Sequence, residues 1–387
     1  GNVRGIGAII EFIRFPKLIT DINAVLEKNM NTPEILKHRL FNSGLSHLPF
    51  SSAAESVSHL GAVQAQDFAA AKWSLGLRVK NSTDGDIDKA YNDGAILRIH
   101  VMRPTWHFVL PGDIRWMLEL TASRVKLRQD ASDRKLGLDD ALIARSNTAI
   151  ARSLEGRNYL TRNELKTILA DVGIPTDVRR LAHILMRAEL DGLICSGPRR
   201  GKQFTYALLD ERVRETRLLD REEALAELAL RYFTSHGPAQ EKDFSWWSGV
   251  AKKDARAALE RIRPGLDHAT FDDRTYWFPP KRDDSIPDPP LALLLPIYDE
   301  YTLAYKDRSD ISQARDIERM IVRGNEMTAV IVLGGKVAGT WRKSTLRDSV
   351  EIRLNPFREP DGDEAEALEL EVARYGRFVG REAVVVD

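Results

Sequence analysis

Apolar positions along this chain recur mostly at three- and four-residue spacing and alternate only in short runs, so helices dominate the expectation. A helix is predicted over 34–43, opened by Thr32 as N-cap, Pro33 at the first position and Glu34 in the first turn. Ser51 or Ser52, followed by Glu55, opens a second helix that runs to Leu60. Residues 68–77 keep helical spacing, and Ala69, Ala70 and Ala71 there suit close packing on another helix. Thr83 caps a helix through Tyr91. Stretches 96–102 and 105–110 then alternate and predict a hairpin around Arg103-Pro104. Helices followed by a hairpin give the order of a winged helix. Pro111-Gly112-Asp113 starts a further helix through Arg128.

A second unit follows the same order more clearly. Thr161 and Glu164 open a helix to Ala170, and Gly173 sits in the next turn. An amphipathic helix covers 178–190, with Leu181, Ile184, Leu185 and Ala188 on its apolar side. Short strands 193–196 and 204–208 flank a basic loop, Gly197-Pro198-Arg199-Arg200-Gly201-Lys202, which has the character of a DNA-touching wing. A third unit has helices over 222–234, from Asp243 and over 252–261, then a strand over 275–278. Units spaced by roughly sixty to eighty residues suggest an internal array. A proline/aspartate linker spans 283–290. Strands at 329–333, 336–342 and 349–354, turned by Gly334-Gly335, and an acidic helix over 363–378 close the chain. The expected fold is mainly α with β (α+β): tandem winged-helix units followed by a C-terminal β-barrel-like domain. The boundaries are 1–30 (extension or helix, with Met30 a candidate start), 31–150, 151–218, 219–285 and 286–387.

Composition changes this picture little. The 387 residues suffice for several domains, and 57 basic against 57 acidic residues leave no net charge, unlike a non-specific nucleic-acid coat. Charge is uneven locally: 179–217 is rich in arginine and the tail after Glu359 is acidic, so a basic surface on a neutral protein is expected. No apolar run is long enough to span a membrane, and Glu11, Arg14 and Lys17 interrupt the N-terminal stretch, which is not read as a signal peptide. Cys195 is the sole cysteine, which excludes an internal disulfide or a cysteine zinc site and fits a reducing cytoplasm.

The candidate chemistry lies in Gln64-Ala65-Gln66. An amide does not titrate, so the pair suits neither metal binding nor proton transfer. It can orient water and set carbonyl dipoles beside a developing positive charge. On an extended segment both side chains point to one side and reach one water. The alternative is helix capping or a solvated turn. Asp67 reads as a helix cap. Arg103, at the hairpin tip, is either a phosphate contact or an exposed turn charge. His107 either contacts phosphate or an abasic site, or is a core histidine bonded to backbone. Arg199, Arg200 and Lys202 read as phosphate contacts, Trp246 and Trp247 as core. Asp299 and Glu300 read as structural ion-pair partners, with Arg308 or Arg342 as candidate cations.

Several segments together resemble the AlkZ/YcaQ-like DNA glycosylases, a family of winged-helix DNA-binding-domain proteins. They include Gln64-Ala65-Gln66, Met102-Arg103-Pro104-Thr105-Trp106-His107-Phe108-Val109, Arg187-Ala188-Glu189-Leu190-Asp191-Gly192-Leu193, Asp243-Phe244-Ser245-Trp246-Trp247-Ser248-Gly249, Leu295-Pro296-Ile297-Tyr298-Asp299-Glu300-Tyr301, Tyr305-Lys306-Asp307-Arg308 and Val337-Ala338-Gly339-Thr340-Trp341-Arg342. The likeness runs from about Thr32 onward, departing at Pro104 where relatives often carry glycine. The Gln-apolar-Gln motif is that of the AlkZ type and implies Gln64 and Gln66 as catalytic residues. It further implies tandem winged helices around a DNA channel, excision of N7- or N3-alkylated purines, and action on crosslinks. The expected partner is double-stranded DNA carrying such purines, bound through Arg103, Thr105, His107, the wing cations, Lys306, Arg308 and Arg342. No metal or organic cofactor is expected, and the protein is expected to be a nucleoid-associated monomer. The rival reading is a non-catalytic winged-helix DNA-binding protein or transcription regulator, in which the Gln pair has no role.

Overall fold

The computed structural model describes residues 30–280, 286–323 and 326–386. The N-terminal segment before Met30 and part of the predicted linker lie outside those residues.

Local chemistry sets each helix start. Thr32–Asn42 is capped by Asn31, one residue before the expected Thr32. Asn31 Oδ1 accepts the Glu34 N–H at 3.0 Å and Glu34 returns a carboxyl oxygen to the Asn31 N–H at 2.9 Å, a reciprocal pair that Thr32 does not form. Ser52 caps Ala53–Leu60, while Glu55 turns back to Ser51. Phe68–Gly76, Asp84–Asp93, Arg162–Asp171 and Val178–Leu190 follow the expected pattern. Ile114–Lys135 runs beyond Arg128, and Asp140–Leu154 is a helix that the charged 128–142 stretch concealed. Arg221–His236, Glu241–Ser248 and Lys252–Ile262 make up the third group of helices.

Strand pairing follows two modes. Val63–Gln64 joins the expected hairpin as an edge strand, giving the order 63–64, 106–109, 97–100. A matching small sheet sets 160–161 beside 205–208 and 194–196. The third group of helices carries the two-stranded pair Asp267–Phe271 and Arg274–Phe278. Near the C-terminus, Ala292–Leu295, Val330–Leu333, Lys336–Thr345, Ser349–Pro356 and Glu382–Val386 form a five-stranded sheet curled into half a barrel. Its last pairing is parallel, Ser349 opposite Glu382, and Gly362–Val379 is the crossover helix that makes it so.

The apolar cores cut across the sequence order. One core joins Leu36, Leu60, Trp73 and Tyr91 to Leu293, Ile331, Trp341 and Phe378. A second joins the hairpin and Trp116 to Tyr232, Phe244 and Trp247. A third holds Ile150, Leu165, Ile184 and Tyr206. Each such fully buried side chain contributes on the order of 1.5–3 kcal/mol. Polar ties follow the same route: Trp73 Nε1 donates to Leu294 O at 2.7 Å and Trp341 Nε1 to Leu295 O at 2.8 Å. The half-barrel is therefore bolted to the first helices, and the Gln pair sits at that junction.

Candidate nucleic-acid interface

The ladder around Val63–Gln64 decides where the two amides go. Val63 and Ala65 are buried in the core, so the alternation turns Gln64 and Gln66 to the opposite side. Ala65 donates its N–H to Trp106 O at 2.7 Å, which makes it a hydrogen-bonded position of the antiparallel pair. Gln64, one residue earlier, is then the non-bonded position, and its N–H points off the sheet edge. There it donates to Glu300 Oε1 at 2.9 Å. Asp67 caps Phe68–Gly76, accepting the Ala70 N–H at 2.8 Å.

Both side chains are held by donors, which fixes their amide orientation. Arg103 Nη2 donates to Gln64 Oε1 at 2.8 Å, and the Trp106 N–H donates to Gln66 Oε1 at 3.3 Å. A guanidinium and a peptide N–H only donate, so the oxygens must face them. Each oxygen keeps a second lone pair. Arg98 buttresses the same segment, donating from Nε to Ala65 O at 2.8 Å with its guanidinium 4.1 Å from the Trp106 ring.

The hairpin tip is tightly wound. Met102 has φ of 63°, a left-handed conformation costly for a residue with a side chain, and Arg103 and Thr105 bond back two residues to Val101 O and Arg103 O. His107 is fully buried behind the tip, its Nε2 3.4 Å from Arg103 Nη2. Burial first, and the Arg103 charge second, push its imidazole well below the ordinary histidine range, so it is neutral. Burial also lowers the Arg103 guanidinium, an effect that Glu300 opposes and that Arg308 and Arg128 reinforce.

Two buried glutamates underlie this platform. Glu300, fully buried, accepts Trp247 Nε1 at 2.9 Å besides Gln64, with His236 Nε2 3.5 Å away. Glu189 accepts the His100 N–H at 3.0 Å, touches the His100 ring and takes Trp106 Nε1 at 3.4 Å. Neighbouring Asp299 pairs with Arg78, not with the expected Arg308 or Arg342, through bonds of 2.8 and 2.9 Å. Burial alone would raise the Asp299 carboxyl, but Arg78, Ser74 and the Tyr301 N–H together hold it below the usual range. Arg308 donates instead to Thr302 O, and Arg342 is exposed on its strand.

Gln64 and Gln66 line a cavity of about 1130 Å³. Arg103, Pro104 and Thr105 line it from the hairpin, and Lys306 and Arg308 also line it. The other cations there are Arg124, Arg128, Lys242, Lys252 and Arg256, against a single acid, Glu241, itself 3.4 Å from Arg256. Sequence reading missed these five. The signal was present as i,i+4 spacing: Arg124 and Arg128 share one helix face, as do Lys252 and Arg256. Trp247 is core, as expected, but Trp246 is 41% exposed and lines the cavity. His107, Arg199, Arg200, Lys202 and Arg342 do not line it. On the basic loop, Arg199 pairs with Asp88 at 3.1 Å and Arg200 with Glu164 at 2.8 Å, while Lys202 is exposed. Among the described residues no group of histidine, cysteine and carboxylate side chains is placed to hold a metal ion. A water-accessible hollow walled by eight cations and two oriented amides suits a polyanion.

Comparison with known proteins agrees on a single lineage. The family described as "AlkZ-like: DNA glycosylase AlkZ-like" matches residues 57–378. The chain is 23% identical over 343 residues to the "Interstrand DNA cross-link repair glycosylase" of Streptomyces sahachiroi, spanning 85% of this chain and 91% of that protein. It superposes on the solved Streptomyces sahachiroi DNA glycosylase AlkZ with a TM-score of 0.76 at 21% identity, covering 92% of this chain and 100% of that one. The two share their fold.

Proposed function

This chain belongs to the AlkZ-like DNA glycosylase family, and we propose that it hydrolyses the N-glycosidic bond of N7- or N3-alkylated purines in double-stranded DNA. Water is the nucleophile and the product is an abasic site. The observation that carries this reading is the presence of Gln64 and Gln66 together on the wall of the cation-lined cavity.

The chemistry follows from what amides can do. An alkylated purine already carries positive charge, so its departure needs no proton donor. What remains is to hold a water at C1′ and stabilise a sugar of oxocarbenium character. Gln64 Oε1 and Gln66 Oε1 each retain a lone pair for that purpose, and they are preorganised by Arg103 and the Trp106 N–H. No lysine adjoins the pair in sequence, though Lys242, Lys252 and Lys306 line the same cavity; hydrolysis by water held at the amides is the route proposed here. Arg103, Thr105, Lys306 and Arg308 would take phosphates around the lesion, with Lys202 and Arg342 extending the surface outside the cavity. His107 would act indirectly, as a neutral support for Arg103. Arg199 and Arg200 would brace the basic loop through their ion pairs.

The helix-and-hairpin order of 31–150, 151–218 and 219–285 supports a reading as tandem winged-helix units. The similar Streptomyces sahachiroi protein is an interstrand DNA cross-link repair glycosylase, which supports extending the substrate range to interstrand crosslinks. The protein would act as a monomer at the nucleoid, and among the described residues no helix is long and apolar enough to cross a membrane.

The test is base release from a duplex containing N7-methylguanine. Gln64→Ala and Gln66→Ala are each expected to slow excision about 100-fold or more, with DNA affinity kept. Undiminished turnover in the double variant would refute the assignment, and a wild-type protein that binds DNA without releasing base would be a non-catalytic DNA-binding protein.

A further inference from the structure

Gln64 occupies an edge strand with its N–H directed away from the sheet, into the protein. The acceptor it meets is a fully buried carboxyl group, Glu300 Oε1 at 2.9 Å, brought from a helical turn 236 residues away. The other Glu300 oxygen is held by Trp247 Nε1 at 2.9 Å. A carbonyl or hydroxyl would satisfy one amide N–H at much lower desolvation cost than a buried carboxyl. The carboxyl also ties Gln64 to Trp247, with one oxygen for each donor, so its structural and positioning roles must be separated by experiment.

The surroundings bear on the positioning role. Arg103 grips the Gln64 side chain at 2.8 Å and is attracted electrostatically to Glu300. Gln64 is thus clamped twice, through its backbone by Glu300 and through its carboxamide by Arg103, with opposite charges on the two sides. We infer that Glu300 is a positioning residue that fixes Gln64 so that its unoccupied lone pair stays directed at the attacking water. It does not line the cavity, so it would act through Gln64 rather than on substrate. The inference rests on the glycosylase reading above.

A double-mutant cycle on single-turnover excision of N7-methylguanine from duplex DNA tests it, with DNA Kd and Tm measured for every variant. Glutamine at 300 keeps one acceptor and must turn its NH2 toward either the Gln64 N–H or the Trp247 indole; in both orientations E300Q removes the carboxylate charge that attracts Arg103, so the clamp on Gln64 loosens. E300Q is expected to lower the rate about 100-fold, the cost of a misplaced reacting group, with Kd unchanged. In the Q64A background E300Q is expected to add nothing, because its effect passes through Gln64. Losses that multiply, or a wild-type rate in E300Q, overturn the inference and leave the glycosylase reading standing. Absence of base release from the wild-type protein, or full activity in Q64A, overturns that reading and this inference with it. Should E300Q not fold, E300D, which withdraws the carboxyl by one methylene, is carried through the same cycle: a loss absent in the Q64A background supports the inference, and a loss that multiplies there overturns it.

Discussion

At the scale of single residues, the site is a set of neutral groups fixed by charged ones. His107 illustrates the cost of that arrangement. Its folded pKa lies well below the ordinary histidine value, for burial and Arg103 both oppose protonation. The unfolded chain therefore takes up the proton first as pH falls. Stability from this residue is complete above about pH 6.5 and declines below it, by at most about 1.4 kcal/mol per pH unit. Denaturant unfolding between pH 8 and 5 should show that slope, and His107→Gln should flatten it; an unchanged slope would contradict the account. The Gln motif was plain in the sequence, but its partners were not. Glu300 and Arg78 meet Gln64 and Asp299 across more than two hundred residues, and no local pattern encodes such a pairing.

At the scale of elements, helices with strong apolar spacing and Ser, Thr or Asp caps were legible, as 162–171 and 178–190 show. Two strands of the half-barrel were not. Ala292–Leu295 is buried on both faces, so it lacks alternation, and Glu382–Val386 pairs in parallel with a strand that a helix separates from it. One contact between elements is especially tight. Gly249, at the left-handed C-terminus of Glu241–Ser248, presses on the hairpin, and a Cβ there would lie 2.6 Å from Met102 O. Gly249→Ala should cost about 1–3 kcal/mol through its φ of 74° and that overlap. It should also slow base release by shifting Arg103. Thermal unfolding and excision rates on one preparation would check both, and a wild-type Tm would contradict the prediction.

At the scale of the whole molecule, zero net charge conceals a cavity wall with eight cations and one acid. Composition averages over faces, so only the fold shows the segregation. If the wall holds phosphates, binding must release counterions. Each contact steepens the plot of log K against log salt by about 0.9. Lys306→Ala should reduce that slope by about this amount, whereas Arg152→Ala, exposed on a helix away from the cavity, should leave it unchanged. Fluorescence titrations across a salt series would measure both, and equal slopes for Lys306→Ala and wild type would count against the cavity as the DNA path.

The core shared by the first helices and the half-barrel also imposes an order in time. As the chain leaves the ribosome, Gln64 emerges more than two hundred residues before Glu300, and the apolar faces of Leu36, Leu60 and Trp73 wait as long for Leu293 and Ile331. The contact between Gln64 and Glu300 consequently forms only after most of translation is over, and a nascent chain stalled before residue 300 carries Gln64-Ala65-Gln66 without the carboxyl that its backbone meets.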